Sequence, residues 1–368
     1  MKKIKKLFIL HEYGEPSHYN AVQKWANNKN IDVKFVEFSF VHNVYNSLKK
    51  KNIKNIWKCL KDYFLLTSMI LFPSIKKECF FIVGIAPMDK HIAKINKVLK
   101  GEKYIYHTSW LYWEGDNFPK NNNHITIKNH WEHFLSNAKA IACVTPDAAK
   151  SIGENFSVNH KTYVVYHSFN HEIFFPISCD KLQNKKLNIC FLGRLEKSKG
   201  IDILLDVITK DKFNNYIIIG KGTMLDEVIQ KACECDNVKY KGFINNKKDI
   251  ADLLRKSDIL LLPSLRVPGW EELFGIALIE AMACGVVPIT TDHKGPALIM
   301  GNEMLSRNIF PEQNYEEYTL KLIKELSQDK NKLDQLKEVC LSQASFYNED
   351  NISKLWDEII NEKIIDNN

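Results

Sequence analysis

Residues 260–291, LLLPSLRVPGWEELFGIALIEAMACGVVPITT, carry the pattern from which the fold is inferred. Their first apolar run stops at Pro263, a polar loop follows, and apolar residues then recur at helical spacing from about Phe274 to Ala283. Val286 to Thr290 begins another apolar run that is typical of a buried strand. This order of strand, loop, helix and strand is typical of α/β proteins with parallel sheets.

The start of this predicted helix has the features of an anion site. Gly275 has no Cβ, so a ligand can approach the first-turn amides closely, and those N–H groups and the helix dipole favour a diphosphate. Glu272 and Glu280 bracket the helix start with seven residues between them, and Glu280 lies on the order of 10 Å farther along the axis. Because a nucleotide-sugar has hydroxyls on both sides of its diphosphate, the two carboxylates suit such a ligand.

Length and composition limit the class of protein. A chain of 368 residues is too long for one ordinary core, so we expect two domains. No stretch approaches ~20 uninterrupted apolar residues, and the N-terminal MKKIKKLFIL is best interpreted as a basic leader into a first strand rather than a signal peptide. The nine cysteines form no C-x-x-C motif, which favours a reduced, cytosolic setting.

The positive charge is concentrated in the first half. Residues 1–110 contain 20 lysines, no arginine and eight acids, whereas the whole chain has a net charge of +7. This excess indicates an anionic partner: a membrane surface, a phosphorylated acceptor or nucleic acid. Nucleic acid is disfavoured because arginine and known binding motifs are absent from this half.

One segment of that half is predicted to be a basic amphipathic helix. Residues 46–64 place apolar residues at helical spacing, and lysines occupy much of the rest. Such a helix can lie on an anionic membrane. The alternative is a surface helix whose apolar stripe packs into the core and whose lysines are solvated.

Two further positions of the first half follow predicted strands. Gly14 comes after the strand Lys6 to Leu10, in a loop that either meets a ligand or makes an ordinary turn. The strand Lys103 to His107 delivers His107 to its carboxyl end. In an open parallel sheet that edge faces the ligand crevice.

The second half begins with another strand, Leu187 to Leu192, which ends in GRLEKSKG at residues 193–200. Arg194 and Lys199 of this loop would neutralise the charge of a diphosphate leaving group. Alone, the loop could equally be a solvated turn. The downstream Gly275 and paired glutamates favour the diphosphate site.

Several ordered motifs resemble one family. GRLEKSKG (193–200), GKG (220–222), KGF (241–243) and ELFGIALIEAMACGV (272–286) resemble the retaining glycosyltransferases of family 4, the glycosyl transferases group 1. The resemblance implies the GT-B fold: two Rossmann-like parallel-sheet α/β domains facing a cleft, with a C-terminal helix crossing back to the first domain. The acceptor-side domain would then comprise 1–178 with about 345–368, and the donor-binding domain 179–344.

The resemblance also implies residue roles. Arg194 and Lys199 would contact the diphosphate, Glu272 the transferred sugar, and Glu280 the ribose. The implied catalytic residues are Glu272, Lys199, Arg194 and His107; the implied donor-binding residues are Gly14, Gly193, Phe243, Ile244, Phe274, Gly275 and Glu280. Leu273 stands where the family usually has a glycine, so the loop around the sugar is expected to differ.

The implied activity is the metal-independent, retaining transfer of a hexose or N-acetylhexosamine, with no cofactor. The donor would be a nucleotide-diphosphate sugar, most simply a UDP-sugar, and the acceptor a glycan or lipid-linked molecule of bacterial surface polysaccharide or glycoconjugate synthesis. The expected location is cytoplasmic, at the inner face of the cell membrane if residues 46–64 bind it. The alternatives are a catalytically idle GT-B subunit that binds a partner transferase, and a sugar-nucleotide epimerase.

Overall fold

The computed structural model describes residues 4–12, 17–49, 51–114, 118, 125–177, 186–268 and 270–365. The chain divides into two compact units. Unit 1 comprises Met1–His167 together with Glu349–Asn368, and unit 2 comprises Ser168–Asn348.

Unit 1 is built on a six-stranded sheet in the order β2-β1-β3-β4-β5-β6, in which every pair of neighbours is parallel. Its strands are β1 (Lys6–His11), β2 (Asp32–Glu37), β3 (Cys79–Gly84), β4 (Tyr104–Thr108), β5 (Ala140–Cys143) and β6 (Thr162–Val164). Its helices are α1 (Asn20–Asn28), α2 (Phe40–Lys49), α3 (Ile53–Leu71), α4 (Ile92–Leu99), α5 (Ile125–Asn137), α6 (Pro146–Phe156) and, from the end of the chain, α15 (Glu349–Ile360).

Helix α15 belongs to unit 1 because its apolar face completes the core there. Trp356 and Ile360 are buried in the same cluster as Val22 and Trp25 of α1. The indole Nε1 of Trp25 donates a hydrogen bond to Asp357, with a donor–acceptor distance of 2.7 Å. The predicted return of the C-terminal helix to the first domain is therefore confirmed.

Unit 2 contains a second six-stranded parallel sheet, in the order β12-β11-β10-β7-β8-β9. Its strands are β7 (Asn188–Leu192), β8 (Asn215–Ile219), β9 (Val238–Tyr240), β10 (Ile259–Leu262), β11 (Val287–Thr291) and β12 (Ile309–Phe310). Its helices are α7 (Ile201–Lys210), α8 (Leu225–Glu234), α9 (Lys247–Arg255), α10 (Ile276–Ala283), α11 (Lys294–Ile299), α12 (Glu303–Ser306), α13 (Tyr315–Gln328) and α14 (Lys330–Ser345). The α/β class with two parallel sheets, predicted from the alternation of strand and helix patterns, is confirmed.

The order of strands in unit 2 locates its ligand edge. Strands β7 and β10 are neighbours, but the chain leaves β7 towards β8 on one side and β10 towards β11 on the other. In open α/β sheets, ligands bind beyond the carboxyl ends of the strands at such a reversal. The loops 193–200 and 263–275 both begin there.

The prediction of one continuous helix over residues 46–64 is wrong. Helix α2 ends at Lys49 and α3 begins at Ile53. Asn52 is the N-cap of α3, and its side chain accepts a hydrogen bond from the backbone N–H of Asn55 at 3.1 Å. This capping bond satisfies a donor that would otherwise be orphaned at the start of α3, and thereby favours the break. Within the described residues, no helix has the length and apolar content required to cross a bilayer.

Candidate functional site

The two loops at the β7–β10 reversal bring Lys199 and Glu272 together. Their ammonium and carboxylate groups form an ion pair, and both side chains are mostly buried, with exposed fractions of 15% and 16%. The Lys199 ammonium also lies 4.7 Å from the centroid of the Trp270 ring. A backbone hydrogen bond of 2.9 Å from Leu265 to Ser198 joins the loops directly. Two residues that were predicted to contact the same nucleotide-sugar are thus neighbours.

His293, two residues after the end of β11, holds the backbone of the Glu272 loop. The N–H of Glu272 donates to Nδ1 of His293 at 2.9 Å, so this nitrogen carries no hydrogen. The hydrogen is then on Nε2, which donates to Oε1 of Glu312 at 3.1 Å. Burial, with a further contribution from Arg266, lowers the pKa of His293, although Glu312 and Glu271 oppose this effect. A neutral imidazole in one tautomer therefore orients the loop.

The structure places the adjacent carboxylates Glu271 and Glu272 in different surroundings. Glu271 is buried, and its Oε2 lies 3.6 Å from Nε of Arg266. The same guanidinium contacts Asp292 at 2.9 Å and Glu312 at 3.0 Å through Nη1. Glu271 therefore belongs to a network that supports the loop, whereas Glu272 points to Lys199.

Close backbone packing fixes the same loop against the start of α11. The N–H of Gly295 donates to the carbonyl of Glu272 at 3.1 Å. A Cβ at position 295 would lie only 2.6 Å from the backbone nitrogen of Phe274. Gly275 is the N-cap of α10 and has a φ of +96°, a conformation that is unfavourable for residues with a Cβ. The loop is thus held on one side by α11 and bent into α10 on the other.

The other predicted glutamate, Glu280, is buried in α10 and paired with a cation. Its Oε1 lies 2.7 Å from Nζ of Lys247, at the start of α9. Phe243 precedes that helix and is 55% exposed, and its ring carries the Lys221 ammonium 3.6 Å from the centroid. Ile244 beside it is half-buried. An exposed aromatic face and a paired carboxylate therefore occupy adjoining segments of unit 2.

The remaining predicted residues of unit 2 have local partners. The guanidinium of Arg194 pairs with Glu196 of its own loop at 2.8 Å, and the Arg194 side chain is 57% exposed. The N–H of Gly193 donates to the carbonyl of Ile219 at 3.1 Å. Phe274 is buried and packs edge-on against Tyr347 at 5.7 Å.

In unit 1, His107 lies on β4 within a buried cluster of aromatic rings. Its ring centroid is 5.3 Å from that of Tyr19, 5.8 Å from that of His167 and 5.8 Å from that of Trp356. Burial, with a smaller effect of His18, lowers the pKa of His107 to about 3. The imidazole is therefore neutral near pH 7. Gly14 lies outside the described residues.

Sequence analysis missed the residues that support Glu272 and Glu280. They are Lys247, Arg266, His293, Gly295 and Glu312. One signal was present: Asp292 and His293 follow β11 as Pro263 follows β10, at the carboxyl edge of the same sheet.

The chain resembles known proteins in sequence. Residues 179–339 match the family model described as Glycosyl transferases group 1. An uncharacterized protein from the cps region of Klebsiella pneumoniae is 35% identical over 113 residues, which is 31% of this chain and 30% of that protein. An uncharacterized glycosyltransferase of Methanocaldococcus jannaschii is 26% identical over 70% of this chain and 71% of its own length.

Solved structures resemble the whole chain. Anabaena HepE in complex with UDP has a TM-score of 0.69 at 16% identity, covering 97% of this chain and 100% of HepE. The same protein in complex with UDP-glucose gives a TM-score of 0.67 at 15% identity, covering 97% and 99%. At these identities the likeness concerns the fold alone. Residues 179–339 thus match the Glycosyl transferases group 1 domain, and the chain has the GT-B fold.

Proposed function

We propose that the protein is a retaining, metal-independent glycosyltransferase. It moves a hexose or N-acetylhexosamine from a nucleotide-diphosphate sugar to a glycan or a lipid-linked acceptor. Residues 179–344 would be its donor-binding domain, and residues 1–178 with 345–368 its acceptor-side domain. A UDP-sugar is the donor that the fold comparison favours, since HepE binds UDP and UDP-glucose.

The observation that carries this proposal is the Lys199–Glu272 pair beside the start of α10. A cation beside free helix amides suits a diphosphate, and a carboxylate at the same place suits sugar hydroxyls. The positive Lys199 would thus lie beside the phosphates of the donor, and the negative Glu272 beside its sugar.

In the proposed complex, the diphosphate lies at the first turn of α10 and replaces Glu272 as the partner of the Lys199 ammonium. Glu272 is then free to accept hydrogen bonds from the transferred sugar. Arg194 is exposed and can turn from Glu196 to the same diphosphate. These two cations would stabilise the charge that develops on the leaving group, the role that a metal ion has in other transferases.

At the other end of the donor, Glu280 would bind the ribose and Phe243 the base. Lys247 already orients the Glu280 carboxylate. Gly193, Ile244, Phe274, Gly275 and Gly14 complete the proposed donor-binding set. His107, neutral because of its burial, would act as a hydrogen-bonding group toward the reacting sugar.

The proposed reaction forms the new bond on the face from which the leaving group departs. The bond between the anomeric carbon and the diphosphate oxygen breaks, and the acceptor oxygen bonds to that carbon. The acceptor hydroxyl gives its proton to the departing phosphate oxygen. This route retains the anomeric configuration without a covalent enzyme intermediate.

We place this activity in the cytoplasm, in the synthesis of a bacterial surface polysaccharide or glycoconjugate. The support is the Klebsiella pneumoniae relative, whose name assigns it to a cps region. Because the alignment spans less than a third of that relative's length, its setting serves here as a guide to the acceptor class.

The test begins with a thermal-shift screen over nucleotide-sugars, followed by donor turnover with the best one. We expect Glu272→Ala and Lys199→Ala each to reduce sugar transfer by at least 100-fold, since each removes a group that contacts the charged transition state. Glu316→Ala and Lys210→Ala are matched controls, because these residues form an exposed ion pair elsewhere in unit 2.

The screen also separates the alternatives. Transfer that survives Glu272→Ala within a few-fold would refute the site. If no nucleotide-sugar raises the melting temperature, an idle subunit is favoured instead. Conversion of the donor into an isomer without an acceptor would identify an epimerase.

A further inference from the structure

Helix α3 has two apolar faces, and only one of them packs against the protein. Ile53, Trp57, Phe64 and Leu71 are all more than 60% exposed. At 3.6 residues per turn these four side chains fall within about 40° of one another around the helix, along roughly 27 Å of its length. Cys59, Leu66 and Met69 are buried on the opposite side. The predicted alternative, a stripe packed into the core, therefore does not describe Trp57 and Phe64.

The neighbouring helix α2 also has an exposed apolar face. Val41, Tyr45 and Leu48, spaced by four and three residues on one face of α2, are 79%, 65% and 60% exposed. The two helices pack against each other in unit 1. We call these seven side chains of α2 and α3 the docking face. Exposed apolar side chains clustered in this way on a folded unit mark an interaction site.

The charge around the docking face identifies its partner. Residues 40–77 contain eight lysines and one acid, Asp62. Two of the lysines have acidic partners outside this range: Lys58 pairs with Glu37, and the buried Lys76 pairs with Glu102. Asp62 is buried and accepts the backbone N–H of Glu37, so it does not offset the lysines at the surface. Lys54 and Lys61 flank the stripe at about 80–100° around α3 and are exposed.

We propose that the docking face lies on the surface of a bilayer that contains anionic phospholipid. Trp57 and Phe64 would enter the boundary between headgroups and acyl chains, and Lys49, Lys54 and Lys61 would reach the lipid phosphates. A second copy of the chain is disfavoured as the occupant because it would set lysines against lysines. Membrane binding by the docking face does not depend on the proposed transferase activity. Only the idea that this binding serves a lipid-linked acceptor rests on that activity.

The test is co-sedimentation with vesicles. The wild-type chain is expected to bind vesicles of phosphatidylcholine with one third phosphatidylglycerol at least 10-fold better than phosphatidylcholine alone, and less well as salt rises. Trp57→Gln with Phe64→Gln should lower binding at least 10-fold. Lys49→Gln, Lys54→Gln and Lys61→Gln together should lower it about 10–100-fold and reduce the salt dependence.

The matched controls change the same kinds of side chain elsewhere. Ile229→Gln with Phe213→Gln replaces exposed apolar residues of unit 2, and Lys239→Gln, Lys256→Gln and Lys330→Gln removes three exposed lysines there. These controls should bind vesicles like the wild type. Because every substituted side chain is exposed, circular dichroism and donor-induced thermal shifts should match the wild type in all variants.

Three results would overturn the proposal. One is a wild-type chain that does not sediment with the anionic vesicles. The second is equal loss of binding in the docking-face and control variants. The third is a wild-type chain that is a dimer and does not bind vesicles, and that becomes a monomer when Trp57→Gln and Phe64→Gln are introduced together. That result would assign the docking face to a second copy of the chain. Donor turnover is measured separately, so failure of this proposal leaves the proposed activity standing, and the reverse also holds.

Discussion

Gly295→Ala is predicted to damage the candidate site although residue 295 is not itself proposed to contact the ligand. The new Cβ would lie 2.6 Å and 2.7 Å from the backbone nitrogen and Cα of Phe274, and 2.8 Å from the carbonyl oxygen of Glu272. Ordinary contacts begin at 3.4 Å, so the loop must withdraw by about 0.6–0.8 Å. None of the three atoms belongs to a flexible side chain that could move aside cheaply.

Two magnitudes follow from this displacement. Overpacking of this kind costs about 1–3 kcal/mol of folding free energy. For a unit of the size of unit 2, this lowers the melting temperature by about 2–12 °C. Because a misplacement of about 1 Å can cost 100-fold in rate, carrying Glu272 out of position should lower kcat/KM for donor turnover by about 10–100-fold.

The assay combines thermal melting with release of the nucleoside diphosphate from the best nucleotide-sugar. Gly301→Ala is the control, because a Cβ there meets its nearest neighbours at 3.5 Å and 3.6 Å. Its melting temperature and turnover should match the wild type. The reasoning is refuted if Gly295→Ala behaves like Gly301→Ala, or if it loses stability but keeps full turnover, since Glu272 would then not have moved.

Three further predictions concern binding and pH. Glu280→Gln, and more weakly Lys247→Met, should at least halve the rise in melting temperature produced by UDP at 100 times its Kd, a rise equivalent to about 2.7 kcal/mol; an unchanged rise would exclude Glu280 from the nucleotide site. Phe243→Ser should weaken UDP binding about 5–100-fold, by loss of stacking, with unchanged melting of the free protein; equal UDP titrations would exclude stacking on this ring. Burial lowers the pKa of His107 to about 3 and also lowers the pKa of His167. The free energy of unfolding of unit 1 should therefore fall by about 1.4 kcal/mol per pH unit for each histidine as pH falls below 6.5. In His107→Gln the melting temperature should decline less steeply with falling pH, and an unaltered slope would contradict the assignment.

Much of the fold was accessible from sequence because its signals are local. Buried parallel strands appear as short apolar runs, and helix starts as glycine or capping residues after polar loops. The Lys199–Glu272 contact, between residues 73 positions apart, was also within reach, because carboxyl ends of adjacent parallel strands meet at one edge.

The interactions that hold that site in place could not be predicted from the sequence in the same way. Arg266, His293 and Glu312 meet only after β10, β11 and the segment following β12 are in place, and no fixed spacing announces such a network. The need for glycine at 295 is likewise a distance that exists only in the folded unit.

Helix α3 shows a different limit. Periodicity detects an apolar stripe, but α3 has one stripe on each side, and the pattern does not tell which is buried. The break before Ile53 has only one local signal, the capping residue Asn52, whereas the helical spacing of apolar residues continues across it from 46 to 64.

The placement of α15 in unit 1 has a consequence for synthesis of the chain. Unit 2 is one continuous segment, whereas unit 1 needs residues on both sides of it. At translation rates of about 5–20 residues per second, residues 1–167 wait on the order of 10–40 s before α15 emerges. During that interval the α1 surface around Trp25, which α15 covers in the folded unit, is exposed, and unit 2 can fold before unit 1 is complete. A chaperone that shields nascent chains would therefore find its substrate in the first half of this protein.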